Sequence, residues 1–159
     1  MSKLIEELKA EHAEIVDILL RVKLLNIGFK DGQQMLMAAK NRLLEHLRKE
    51  DAELYPALNR AAKDDQQLRQ SLDYSVKDVE EVTRNVLQFY AKYSEETPAD
   101  ASKNKFTFFT KKTSNKIQEE FLRDFDRLYL VLLERLGKEE EIFFPAFEKV
   151  DQPQRTVSL

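Results

Sequence analysis

The chain has 159 residues, enough for one domain with its own core, and its three Gly, four Pro and 35% charged residues favour helix over sheet. A net charge of -3 supplies no basic field for nucleic acid, and the absence of Cys excludes both a disulfide framework and a thiolate ligand. The start, Met1–Glu7, sets charges inside its apolar pattern unlike a signal peptide, and no apolar run approaches the ~20 residues that span a bilayer, so a cytoplasmic protein is expected.

Helix 1 is predicted from about 3 to 26, because Leu4, Leu8, His12, Ile15, Val16 and Leu19 recur at helical spacing and make one stripe. Gly28 is a stop signal, and Asp31-Gly32-Gln33-Gln34 has the form of a capping box with Asp31 as N-cap. Helix 2 then runs to about 62, with Leu36, Leu43, Leu47, Leu54 and Leu58 facing inward. Pro56 lies inside it and must bend or interrupt it. Helix 3 is predicted from about 66 to 93, through Leu72, Val76, Val79, Val82, Val86, Phe89 and Tyr93. Helix 4 runs from about 115 to 149, through Phe121, Phe125, Leu128, Leu132, Arg135, Glu139, Ile142 and Phe143, and Pro145 repeats the anomaly of Pro56. Four long helices on short turns give an all-α up-down-up-down bundle over 1–150, followed by a mobile tail over 151–159.

An extra segment, Ser94–Ser114, precedes helix 4. Thr97-Pro98-Ala99-Asp100 has the form of a helix start, continuing into helix 4 or forming a separate short helix or lid. Within it, Lys103-Asn104-Lys105-Phe106-Thr107-Phe108-Phe109-Thr110-Lys111-Lys112 interleaves base and aromatic and continues to Lys116 with no acid. Such a pattern suits nucleic acid or an acidic partner, but the acidic chain as a whole opposes nucleic acid. A solvated helix with Phe106 and Phe109 inside fits better. Phe108 falls off that stripe, so a protein partner or a homodimer contact through Phe106, Phe108, Phe109 and the nearby Lys is the expected use of this surface.

One stretch occurs twice. Glu45–Leu58 aligns without a gap on Glu134–Phe147, pairing His46 with Arg135, Glu50 with Glu139 and Pro56 with Pro145. Such a repeat points to two copies of a helix pair. His12, His46 and Glu50 all fall on inward stripes, and so do Arg135 and Glu139. A buried carboxylate must be paired, protonated or on a metal. If the helices aim these groups at one axis, two imidazoles and two carboxylates suit a divalent ion such as Fe, Mn or Zn. The alternative is a metal-free ionic core with Arg135 forked between Glu50 and Glu139.

These residues resemble the hemerythrin-like, or HHE cation-binding, domain. The matching motifs are Glu11-His12 on helix 1, His46-xxx-Glu50 with Leu54-Tyr55-Pro56 on helix 2, and Glu139 with Phe143-Phe144-Pro145 on helix 4. The resemblance implies a four-helix bundle with a non-haem di-iron centre, ligated by His from all four helices and bridged by two carboxylates. This chain departs from that pattern: Val79 stands where helix 3 should offer a His, and Arg135 where helix 4 should. By the resemblance, His12, His46, Glu50 and Glu139 form one half-site for iron or another divalent ion. The Arg135 guanidinium then puts a fixed positive charge where the second ion would be. The expected function is a metal-binding or sensing protein with an at most mononuclear site, or a metal-free regulatory or interaction bundle. A catalytic role needs an open position on a redox metal, which nothing in the sequence demonstrates.

Overall fold

The computed structural model describes residues 2–25, 30–93 and 115–151. Among these, every regular element is helical, in the order α1 (Lys3–Leu25), α2 (Lys30–Lys49), α3 (Tyr55–Ala61), α4 (Gln66–Tyr93), α5 (Asn115–Lys138) and α6 (Phe144–Asp151). A π-helical turn, Glu50–Leu54, fuses α2 to α3, and a second, Glu139–Phe143, fuses α5 to α6. The chain therefore makes the four long rods of the expected all-α bundle. The segment before helix 4, with Phe106, Phe108 and Phe109, lies outside the described residues, as does the tail beyond Asp151.

Local chemistry fixes several helix ends. Ser2 Oγ accepts the Ile5 N–H at 3.2 Å, and Asp65 Oδ1 accepts the Leu68 N–H at 3.1 Å, each satisfying a donor that the first turn leaves free. Helix α2 begins one residue before Asp31, so Asp31 lies within its first turn rather than at the N-cap. There its charge favours the positive end of the helix dipole.

The two prolines act through the π-turns. A proline inside an α-helix lacks the N–H for the next bond, and its ring meets the carbonyl one turn back. In the fold, Tyr55 N–H bonds to Glu50 O and Phe144 N–H to Glu139 O, each one residue wider than the α pattern. One residue is thus inserted ahead of Pro56 and another ahead of Pro145. Each wide turn opens on a buried glutamate, Glu50 or Glu139, both only 1% exposed.

The apolar core comes in two blocks. One holds Ile15, Leu19, Leu36, Leu43, Val82, Val86 and Leu132, with an aromatic group of Phe89, Tyr93, Phe121 and Phe125. The rings of Tyr93 and Phe121 meet edge-to-face at 5.0 Å. The other holds Leu8, Leu54, Leu58, Leu72, Phe143, Phe144 and Phe147. Each buried side chain of this size contributes roughly 1.5–3 kcal/mol to burial. Between the two blocks every rod brings in buried polar side chains: His12, then His46 and Glu50, then Ser75, then Arg135 and Glu139. The bundle is a polar layer held between two apolar ones.

Two inward assignments are corrected. Val76 is 55% exposed and Ile142 is 42% exposed. On α4 the position facing the bundle axis is Ser75, which continues the spacing from Leu72 to Val82 better than Val76 does. On the last rod the inserted residue of the π-turn shifts the helical phase, so Phe143 and Phe144 turn inward and Ile142 outward. Leu4, Val16, Leu47 and Val79 are half-buried. Among the described residues, no helix is long and apolar enough to cross a membrane.

Candidate metal centre

Helix periodicity brings His12 from α1, His46 from α2, and Glu50 and Glu139 from the two π-turns to one point. One ligand atom from each lies within 4.8 Å of all the others, and all four residues are buried. Donors on opposite sides of an ion with bonds of about 2.0–2.2 Å sit about 4.2 Å apart, so the spread has the scale such an ion needs.

Two further carboxylates set the orientation of the imidazoles. His12 Nδ1 lies 3.1 Å from Glu140 Oε1, and His46 Nδ1 lies 2.8 Å from Glu11 Oε2. An ionised carboxylate only accepts, so both Nδ1 atoms carry the proton. In the neutral rings both Nε2 atoms are then bare. They face each other at 3.0 Å, and His12 Nε2 also lies 3.0 Å from Glu139 Oε2. His46 Nε2 comes within 2.7 Å of Glu50 Oε1, yet neither Glu50 oxygen takes part in a hydrogen bond. Lone pairs converge here with no donor between them. A cation resolves this, as does one extra proton. Phe144 stacks on the His12 ring at 5.2 Å and closes that side with apolar surface.

The electrostatics follow from this crowding. Burial lowers the His46 pKa, but the nearby carboxylates of Glu139, Glu50 and Glu11 outweigh it and raise the value to about 10. Burial, joined by the charge of Glu139, raises Glu50 to about 7 against the pull of His46. Glu139 goes the other way: burial raises it, but His12, His46 and Arg135 together hold it below the usual carboxylate range. Glu11 is also lowered, since Lys49 and His46 overcome its partial burial. Lys49 Nζ sits 2.8 Å from both Glu11 and Glu7 and anchors the carboxylate that orients His46.

Arg135 occupies the other half of the layer and is 4% exposed. Its Nε lies 2.8 Å from Glu139 Oε1. One terminal nitrogen donates to Ser75 Oγ at 2.6 Å, and the other donates to the Tyr55 hydroxyl. The fork between Glu50 and Glu139 that the metal-free alternative requires is not formed: among the described residues Arg135 pairs with Glu139 alone, and two hydroxyls take its remaining arms. Val79 lines one cavity with Ser75 and Tyr55, which places it on the Arg135 side of the layer.

Sequence reasoning missed Ser75, Tyr55 and Glu140. The repeat aligns Glu140 with Asp51, which carried no chemistry, and Ser75 was passed over for its apolar neighbour. Tyr55 belongs to the Leu54-Tyr55-Pro56 motif, which assigns no role to its hydroxyl.

The family model of the hemerythrin HHE cation-binding domain matches the chain over residues 3–147. Comparison with curated proteins and with solved structures found no match.

Proposed function

The chain belongs to the hemerythrin HHE cation-binding domain family, and from that premise we propose that it is a metal-binding or metal-sensing protein with a single-ion site on His12, His46, Glu50 and Glu139. The observation that carries this reading is the convergence of the two Nε2 atoms, 3.0 Å apart, on the buried carboxylates of Glu50 and Glu139, while each Nδ1 is already held by another carboxylate. Two imidazoles and two carboxylates suit Fe, Mn or Zn. A bound ion would supply Lewis acidity and, for iron or manganese, one-electron chemistry.

This chain's own residues do the rest. Glu11 and Glu140 hold the Nδ1 protons, fix both tautomers and raise the basicity of Nε2. Glu139 faces His12 through Oε2 and Arg135 through Oε1. Arg135 thereby brings a permanent positive charge to the place of a second ion and repels one. Phe144 keeps water from the His12 ring.

A second reading is favoured by the raised pKa of His46. As an imidazolium, His46 would share its Nε2 proton with Glu50 or His12, leaving a metal-free ionic core for a regulatory or interaction role. Elemental analysis after growth with iron, manganese and zinc separates the two. One ion per chain is expected, lost in His46→Ala with helical content retained by circular dichroism. Metal-free wild-type protein whose stability ignores added ions would overturn the single-ion reading in favour of the second. Two ions per chain would refute the role given to Arg135.

A further inference from the structure

Next to Tyr55 and Ser75, the two hydroxyls that accept from Arg135, the bundle has a cavity of about 220 Å³. Its apolar lining includes Leu72, Val76 and Val79, and its polar lining includes Ser75 and Tyr55. Asp51 and Glu80 line it from exposed positions at its solvent edge. The volume is about one and a half times the roughly 150 Å³ apolar cavity that takes benzene, which corresponds to about nine heavy atoms.

The hydroxyls give this space a direction. Ser75 Oγ and Tyr55 Oη each accept a hydrogen bond from Arg135, so each keeps its own proton to give. Among the described residues neither proton has an acceptor. Ser75 is 5% exposed, so its unused donor has little access to solvent. A donor hydrogen-bonded by a guanidinium is also polarised and gives its proton more strongly. The rim is acidic, and the charge of Arg135 is already engaged by Glu139. An anion is therefore disfavoured.

We propose that this cavity is a binding site for a small uncharged molecule with an apolar body and one carbonyl-type acceptor, the acceptor taking the protons of Tyr55 and Ser75. The site does not depend on an ion at the neighbouring layer. An occupant would be joined to that layer only through Tyr55, Ser75 and Arg135.

The test uses the full chain, labelled with ¹⁵N, and three probes of equal size: acetophenone, cumene and benzoate. Acetophenone should shift the amide signals around Tyr55, Ser75 and Val79 and saturate at or below millimolar concentration. Cumene, which replaces the carbonyl oxygen with a methyl group, should bind roughly tenfold more weakly, the worth of one or two net hydrogen bonds. Benzoate should bind more weakly still. Val76→Trp, at an exposed position on the lining, should block both while leaving the fold unaltered. Equal binding of cumene would mean an apolar void and overturn the proposal. Tightest binding by benzoate would mean an anion site and overturn it too. No shift with acetophenone, or shifts that survive Val76→Trp, would do the same.

Discussion

Replacing Arg135 by Leu tests whether the guanidinium holds the polar layer together. Leu fills much of the same volume without leaving a large void, so the loss isolates charge and hydrogen bonding. Arg135 is 4% exposed, so solvent does little to screen its pair with Glu139 at 2.8 Å. Breaking a buried ion pair by removing one partner costs roughly 3–5 kcal/mol. Two hydroxyl acceptors lose their donor as well, but each can turn toward the adjoining cavity, so they add little. A cost of about 4 kcal/mol is expected for chelator-treated protein, a large part of the roughly 5–15 kcal/mol that stabilises a domain. With a urea slope of about 2 kcal/mol/M the midpoint should fall by about 2 M. Arg135→Lys keeps the charge but loses the fork, and should fall between the two. If Arg135→Leu costs less than about 1 kcal/mol with an unchanged slope, Glu139 finds its charge balance elsewhere and the substitute-cation argument fails.

Three further outcomes follow from the geometry. Deleting the exposed Glu141 removes the inserted residue of the second π-turn and forces Pro145 into an α-helix, at about 3 kcal/mol. Pro145→Ala in the deletion background should recover most of that loss in urea unfolding, and simple additivity of the two changes would refute the link. Asp124 accepts from Tyr93 at 2.6 Å and from Lys92 at 2.9 Å. Its burial raises its pKa, but these two bonds outweigh that and lower it. Its contribution is therefore present above the unfolded value of about 3.9 and is lost as pH falls through the lower folded value. Asp124→Asn should cost about 1 kcal/mol at neutral pH, discounted for solvent access, and the gap should close below about pH 4; a gap that is constant with pH would exclude the charge as its cause. Finally, Val79→His with Arg135→His supplies two neutral nitrogen donors on the side that now holds the guanidinium, and should raise the metal content above one ion per chain. Val79→His alone should change little, because Arg135 still repels an incoming cation, and equal gains from both variants would contradict that.

The rods and their inward faces were legible because 3–4 spacing reports burial directly, and Leu8, His12 and Ile15 share a face whatever their chemistry. His46 and Glu50 were readable as neighbours for the same reason. The π-turns were visible only as a conflict: Pro56 and Pro145 sat where a helix should continue, and periodicity alone does not say whether a helix kinks, breaks or takes in a residue. That ambiguity also hid the true phase of the last turns, hence Ile142. Ser75 was illegible for a different reason. A serine between valines carries no hydrophobic signal, and its burial is explained only by a guanidinium arriving from a helix sixty residues away. Glu140 sits at an exposed position, and only its carboxylate end reaches His12.

The two halves of the polar layer are built on one plan and filled differently. Lys49 bonds to Glu11 in one half, and Lys138 bonds to Asp78 at 3.1 Å in the other. His12 packs against Phe144 and Glu140, and Val79 shares a cavity with Tyr55 and Asp51, their partners in the repeat. The charged frame around each half is thus alike, and the difference lies in what fills it. An imidazole needs one acceptor for Nδ1 and something electrophilic at Nε2. A guanidinium needs acceptors along its whole fork, or it leaves buried donors unmet. Tyr55 and Ser75 meet that need, whereas the repeat partner of Tyr55 is Phe144, which offers no oxygen. With a Phe at 55 or an aliphatic residue at 75, Arg135 would strand a terminal nitrogen in the core. Arg135, Tyr55 and Ser75 therefore act as one unit, and Glu139 joins that unit to the pair of histidines across the layer.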